Sequence, residues 1–329
     1  MFAQAIEDIL KDHCAPQAVR HVENGGAPEP LWSALAQAGF LDLLAPESQG
    51  GAQLPLAQLH PILALLGRFA MPLPVAQSIC ARALTGAGDQ LPSTPITLAP
   101  ALVRGADGSV KCPRVPFGAL ASHVIAADGD SLLLMPTEGA AIASCGDGHA
   151  HFATLRWRDA KSAAKIGGNA RSLHAMNAGL HASVMSGAME RAFEMTLEHC
   201  NDRQQFGRPL GKFQAVQHQL AEMAEHAVAV SMAAQWAFDT DARAPDLLRA
   251  AMAKSRASRA VPLIASTAHA LHGAIGVTQE FDLQLYTRLL HAWRIACGSE
   301  TYWDGLVGRE VMASDRTLAE FVRTAGAVA

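Results

Sequence analysis

Aromatic residues are scarce in this chain of 329 residues: 11 Phe, 5 Trp and 2 Tyr make up 5% of it. Charged residues reach only 17%, and the formal net charge of −4 comes without a basic cluster, which leaves nothing to grip a nucleic-acid backbone. The six cysteines, Cys14, Cys80, Cys112, Cys145, Cys200 and Cys297, lack C-x-x-C spacing. That excludes the common metal sites and a disulfide framework, and it points to a reducing cytoplasm. The first residues hold two acids by Asp8 and no basic region followed by an apolar run, so a secretory signal is not expected. Nor is any apolar run expected to be long enough to span a bilayer. Internal repeats and low-complexity tracts are missing.

What remains is a chain in which half the residues are hydrophobic, enough to bury a large core in two or three domains. Abundant alanine and few aromatics favour long, closely packed helices. Three stretches separate. Residues 1–89 read as a small helical domain with connections at Gly25-Gly26, Pro46 to Gly51 and Met71-Pro72. Residues 90–168 shift to short apolar runs between Gly, Asp and Pro, namely ITLAPALV, HVIAA, SLLLM, AAIAS and HFATLRW, which read as strands. Residues 169–329 return to four or five helices, broken at Gly207 to Gly211, Thr240 to Ala244, Gly273 to Gly276 and Gly298. One runs through Ala178 to Cys200 and another from Asp246 to His272, with Pro262 a candidate start or kink.

The chain is organised around Asn201 to Glu222, NDRQQFGRPLGKFQAVQHQLAE. A helix arrives through Met189 to Cys200 and breaks around Gly207-Arg208-Pro209. Another starts near Gly211 with Phe213, Val216, Leu220, Met223, Ala227 and Val230 on one stripe. At the break stand a cation (Arg203), an amide (Gln205), an aromatic ring (Phe206) and a glycine (Gly207). Such a set suits a phosphate beside a flat ring. Taken alone it reads equally as a helix-end cation with a hydrophobic plug.

The longer string RQQFGRPLGKFQAVQHQLAEMA resembles the Arg-x-x-Phe-Gly…Phe-Gln-x-x-x-x-x-Leu-Ala segment of the acyl-CoA dehydrogenase family. GFLDLLAPESQGG with LLGRFAMPLPVAQS is similar to the family's Pro-Glu-x-x-Gly-Gly loop and the helix after it, and LHGAIGVTQEFDLQLYTR to its glycine-rich turn. The three lie in family order. The resemblance implies a mainly α fold with a central β-domain: N-terminal helical domain, abridged β-domain, C-terminal four-helix bundle. It also implies FAD as cofactor and desaturation of an acyl-CoA thioester, in which a carboxylate removes the α-proton while a hydride leaves the β-carbon. Arg203, Gln205, Phe206 and Gln214 match the group that reaches a neighbouring subunit's FAD, and Gly273 and Gly276 match the turn at the flavin's adenine end. The family glutamine before that turn is Ala270 here.

Other matches fail. No Gly-Ser-Asp loop is present, and Cys112-Pro113-Arg114 stands where Trp-Ile-Thr holds the flavin ring in the family. The family base occupies one of two places. One aligns with Cys297 before Gly298-Ser299, and the other, 26 positions before Arg203, with Asn177. Asn takes no proton near neutral pH, and a thiol with a reference pKa of about 8.5 needs an electropositive setting to ionise. Glu300 is expected to point elsewhere. His174, His181, His218, His272 and His291 read as structural or exposed, without metal spacing.

A chain that keeps the lending group and lacks the base is expected to be half of a pair. It resembles the short subunit of heteromeric, heterotetrameric acyl-CoA dehydrogenases of bacterial steroid degradation, partnered by a longer chain that carries the base and by an electron-transfer flavoprotein as acceptor. Two alternatives stay open: a homo-oligomeric dehydrogenase with an unorthodox base, and a flavin-free scaffold of the same fold.

Overall fold

The computed structural model describes residues 2–85, 91–145 and 151–325. The N-terminal helices are α1 (Phe2–His13), α2 (Pro16–Glu23), α3 (Glu29–Gln37), α4 (Leu59–Arg68) and α5 (Val75–Leu84). Their apolar stripes, Ile6 and Leu10, Val19 and Val22, Leu31 and Leu35, are buried in one core. The break between α1 and α2 falls outside the expected connections. Pro16 makes it, because a proline at the first helical position gives up no hydrogen bond there.

Two four-stranded sheets follow. The first runs β1 (Ile96–Leu98), β4 (His123–Asp128), β5 (Ser131–Pro136) and β8 (Ala164–Ile166), with β1 parallel to β4 and the other pairs antiparallel. The second is antiparallel throughout: β2 (Val103–Arg104), β3 (Val110–Val115), β7 (Ala153–Trp157) and β6 (Ala141–Ser144). Val110, Cys112, Leu155 and Trp157 of the second meet Val124, Ala126 and Met135 of the first in a separate small core. The expected run ITLAPALV is divided between the sheets, since β1 ends at Leu98 and β2 begins at Val103. Strand β3 lies outside the expected runs because Pro113 and two cations mask its period. The register shifts at Cys112 to Val115, and Arg114 adopts a positive φ of 47°, a bulge that accommodates the proline.

Helix α6 (Ala170–Asp202) then runs 33 residues, with the Asn169 side chain accepting from the Ser172 amide at its start. A hairpin, β9 (Gln204–Gln205) and β10 (Arg208–Pro209), leads to α7 (Gln214–Phe238), α8 (Leu247–His272), α9 (Leu283–Ile295), α10 (Glu300–Ala313) and α11 (Leu318–Thr324). Helix α6 packs against α4, α7, α8 and α9. Over Leu173 to Met189 it is buried almost all round, as the central member of a bundle is. Helix α8 continues through Pro262 without ending. By length and composition the stretch Leu247–Val277 is long and apolar enough to cross a membrane, which corrects the expectation that no run is. Here it packs against α6, α7, α9 and α10.

The crossing of α4 and α6 depends on two glycines. A Cβ on Gly187 would stand 1.8 Å from the Ala64 carbonyl oxygen, and one on Gly67 the same distance from that of Val184. Gly187→Ala is therefore expected to lower the unfolding free energy by about 1–3 kcal/mol or more through overpacking. Gly308→Ala, in α10 with nothing within 4 Å of the added carbon, is expected to raise it by about 0.4–1 kcal/mol. Urea unfolding of the two variants checks the opposite signs; equal and small effects would show that the crossing tolerates a wider spacing.

Candidate functional site

The sequence after α6 forms a hairpin and not the simple helix break expected of it. Arg203 caps α6, its amide bonding the His199 carbonyl, with extended backbone at ψ 119°. Gln205 pairs with Arg208 and Gln204 with Pro209. Phe206 and Gly207 at the tip have φ of 51° and 80°; two positive values mark the tight I′ turn, whose twist suits a two-residue hairpin. Phe206 is thrust into solvent, 90% exposed. The hairpin is held to the bundle by the Leu210 amide on the Arg203 carbonyl at 2.9 Å, and is braced by the Phe213 ring, which meets Phe206 edge-on and lies under the Arg208 guanidinium at 4.1 Å.

A short 3-10 turn, Leu210–Lys212, delays the next helix to Gln214. That corrects the expected start near Gly211. No side chain caps α7, so its first amides and the exposed Gln214 stay open to an anion. Among the described residues no salt bridge engages Arg203.

The glycine turn lies at the same end of the bundle. Gly273 closes α8 at φ 64°, and Gly276 is buried against His272, whose Cβ leaves no room for a side chain there. The His199 ring, one turn before Arg203, stacks on His272 at 4.5 Å. The stack sets the Gly273–Gly276 turn beside the end of α6 that carries Arg203, with Gln205 and Phe206 on the hairpin that follows and Gln214 at the start of α7; Ile275 and Val277 of the turn are exposed.

The two positions aligned with a base lie elsewhere. Asn177 is 1% exposed and donates a long hydrogen bond to the Ala99 carbonyl, and its Oδ1 has no partner. Cys297 is 8% exposed at a φ of 54°. Burial pushes its thiol up to about 12, against a smaller downward pull from Lys254. The helix start therefore does not make a thiolate of it. Glu300 turns away to pair with Arg294, which holds its carboxyl below the usual range.

Sequence reasoning missed what ties these positions together. Lys254 on α8 is fully buried. Its Nζ donates to Ser258 Oγ at 2.8 Å and to the carbonyls of Arg294 and Gly298 at 3.0 and 3.1 Å, clamping the turn that carries Cys297. Burial brings the amine down to about 7, while three acceptors use all three donors of the charged form and favour it. The same charge acts on His181, fully buried one turn after Asn177, whose Nδ1 donates to the Asn177 carbonyl at 2.7 Å. A lysine on the stripe Ala250, Ala253, Ala257 and Val261 is the signal that would have found it. Over the turn, Trp303 is stacked on His174 at 4.5 Å and donates to the Gly298 carbonyl, and Tyr302 bonds His174 Nε2 at 2.9 Å.

Two family models match the sequence: the acyl-CoA dehydrogenase N-terminal domain over residues 1–90 and its C-terminal domain over 156–312. The chain belongs to the acyl-CoA dehydrogenase family. Acyl-CoA dehydrogenase IpdE2 of Mycolicibacterium smegmatis is 31% identical over 302 residues, 88% of this chain and 91% of that one. The ChsE4-ChsE5 complex from Mycobacterium tuberculosis contains a chain of the same fold, with a TM-score of 0.83 at 22% identity over 95% of this chain and 97% of that one. A chain of the Tcur3481-Tcur3483 steroid ACAD, a G363A variant, superposes with a TM-score of 0.81 at 26% identity over 95% and 98%.

In this acyl-CoA dehydrogenase chain, Lys254→Met is expected to take one of two donors from each of the Arg294 and Gly298 carbonyls, which keep Ser258 and Trp303, and to cost about 1–3 kcal/mol of stability. The loosened turn should then expose Cys297 to iodoacetamide at a pH where the wild-type thiol stays unlabelled. Unchanged stability with equal labelling would show that Lys254 does not hold the turn.

Proposed function

We propose that this chain is the half-site subunit of a heteromeric, FAD-dependent acyl-CoA dehydrogenase that desaturates an acyl-CoA, its partner a longer chain of the same family. One observation carries the reading. Asn177 and Arg203 stand 26 residues apart on one continuous helix, about 39 Å at ~1.5 Å per residue. Lys254 and Gly273, on α8, are about 28 Å apart by the same rise. The arm is remote from the place where this chain's own base would stand, and that place holds an amide and a buried thiol without a carboxylate; together these favour an arm that serves a site whose base lies in another chain.

The residues of the arm fit the charge and shape of FAD. Arg203, unpaired at the C-cap, supplies a charge-assisted donor to a pyrophosphate, and the open first turn of α7 with Gln214 adds amide donors. Gln205 offers a further amide, Phe206 an exposed ring for a flat partner, and Gly273 and Gly276 let backbone approach closely. When bound, FAD supplies the hydride acceptor. This chain contributes no base: Asn177 cannot take a proton, and the Cys297 thiol is kept protonated by burial. The carboxylate that removes the α-proton is assigned to the partner. Two-component structures of the same fold, one of them a steroid ACAD, support a heteromeric assembly acting on a steroid-derived acyl-CoA; the reading adds a heterotetramer, an electron-transfer flavoprotein as acceptor and a place in the cytoplasm.

Co-expression with the partner chain tests the assignment of roles. Arg203→Ala should weaken FAD binding by the assembly by about 1.5–3 kcal/mol with little effect on folding. Cys297→Ala and Asn177→Ala should leave turnover within about tenfold, whereas loss of a general base typically removes about 10²–10⁴-fold. Unaltered FAD content in Arg203→Ala would refute the lending role. Loss of α-proton exchange in Cys297→Ala at normal FAD content would place the active site in this chain.

A further inference from the structure

Three imidazoles lie directly beneath the arm. His199 sits in the last turn of α6, four residues before Arg203, and His272 is the last residue of α8, next to Gly273. Their rings stack at 4.5 Å and 24°, and Phe281 closes on His272 at 5.0 Å. His272 Nδ1 lies 2.8 Å from the Ala268 carbonyl. A carbonyl only accepts, so that nitrogen carries the proton and Nε2 is a bare lone pair. The Nε2 atom is buried without a partner, as is Nδ1 of His269, whose Nε2 meets Thr287 Oγ1 at 2.9 Å. That Nδ1 lies 3.4 Å from where a side chain on Gly276 would begin. The glycine turn therefore rests on His269 and His272, and the hairpin is tied to the turn through His199.

We propose that His199 and His272, seated beside His269, form a proton-sensitive clasp that holds the hairpin arm and the Gly273 turn together while these two rings are neutral and lets them separate when they are protonated. A second proton on His272 would place a charge on a buried ring packed against another imidazole. Besides burial, which dominates for both rings, the titratable groups acting on them are Arg203 and Asp202 from α6 at His199, and the neighbouring imidazoles His199 and His269 at His272. Asp202 favours the charged form of His199, and Arg203 opposes it. Among these groups Asp202 is the one carboxylate. For His272 the Ala268 and Met195 carbonyls favour the charged form, burial opposes it more strongly, and His199 and His269 add to the opposition. His199 and His272 are both held below the ordinary histidine value. The sign follows: the unfastened state binds protons more readily, so the clasp is at full strength above the ordinary histidine pKa and is lost as pH falls through the lowered values.

The clasp gives a regulation to the cofactor-lending arm and rests on that reading only for its effect on FAD. Amide hydrogen exchange on the full chain alone, corrected for intrinsic rates, tests it at pH about 7.5 and about 5.5. Residues 199–214 and 270–278 should lose protection by about tenfold or more at the lower pH, relative to the middle of α6. His272→Phe and His199→Phe each keep an aromatic contact with one titratable ring fewer, and each should lose clearly less protection than the wild type. If the buried His272→Phe fails to fold, the half-exposed His199→Phe carries the comparison. An equal loss of protection in wild type and His199→Phe, or no loss in wild type, would overturn the clasp. A wild-type loss clearly reduced in His199→Phe, with no pH effect on FAD retention by the assembled enzyme, would uphold the clasp and count against the lending role.

Discussion

The stiffness and length of α6 constrain everything else in the molecule. Thirty-three residues in one helix put its two ends further apart than any loop in the bundle can reconcile. Its stretch Leu173 to Met189 is gripped on all sides. Gly67 and Gly187 let α4 approach to backbone contact, and His60, buried and pushed down to about 4, joins Ser183 of α6 to Ser231 of α7 at 3.0 and 3.3 Å. The hairpin at one end and the positions Asn177 and Cys297 toward the other are thereby held far apart, which is the separation the proposed division of labour rests on.

Lys254 shows how the inert end is kept in order. Burying an ammonium is costly, and three well-placed acceptors offset the cost while fixing the turn from Arg294 to Gly298. Trp303, His174 and Tyr302 cover the turn from above. With a buried thiol in place of a carboxylate, the turn keeps its shape and lacks the chemistry expected of it.

Much of this was legible in the sequence. The order of helices, strands and helices follows from hydrophobic period, and Arg203, Phe206 and Gln214 stand out through the spacing of their motif. What escaped depends on contacts between distant elements. The hairpin rests on positive φ at Phe206 and Gly207, and a phenylalanine there carries no turn signal. Strand β3 is disguised by Pro113. The links through Lys254 and the His199–His272 stack join residues 40 or more positions apart, so neither has a local pattern to read. The family resemblance brought Asn177 and Cys297 to notice; the amide rules out the first from sequence alone, whereas only burial shows why the Cys297 thiol stays protonated.

The flavin absorbance of the purified chain bears most directly on the half-site account. Prepared alone, the chain should carry little FAD, because its arm is aimed away from its own inert turn; prepared with the longer partner chain, the complex should be yellow and should lose colour when Arg203 is replaced by Ala. A full complement of FAD in the chain on its own, retained by the Arg203→Ala variant, would contradict it.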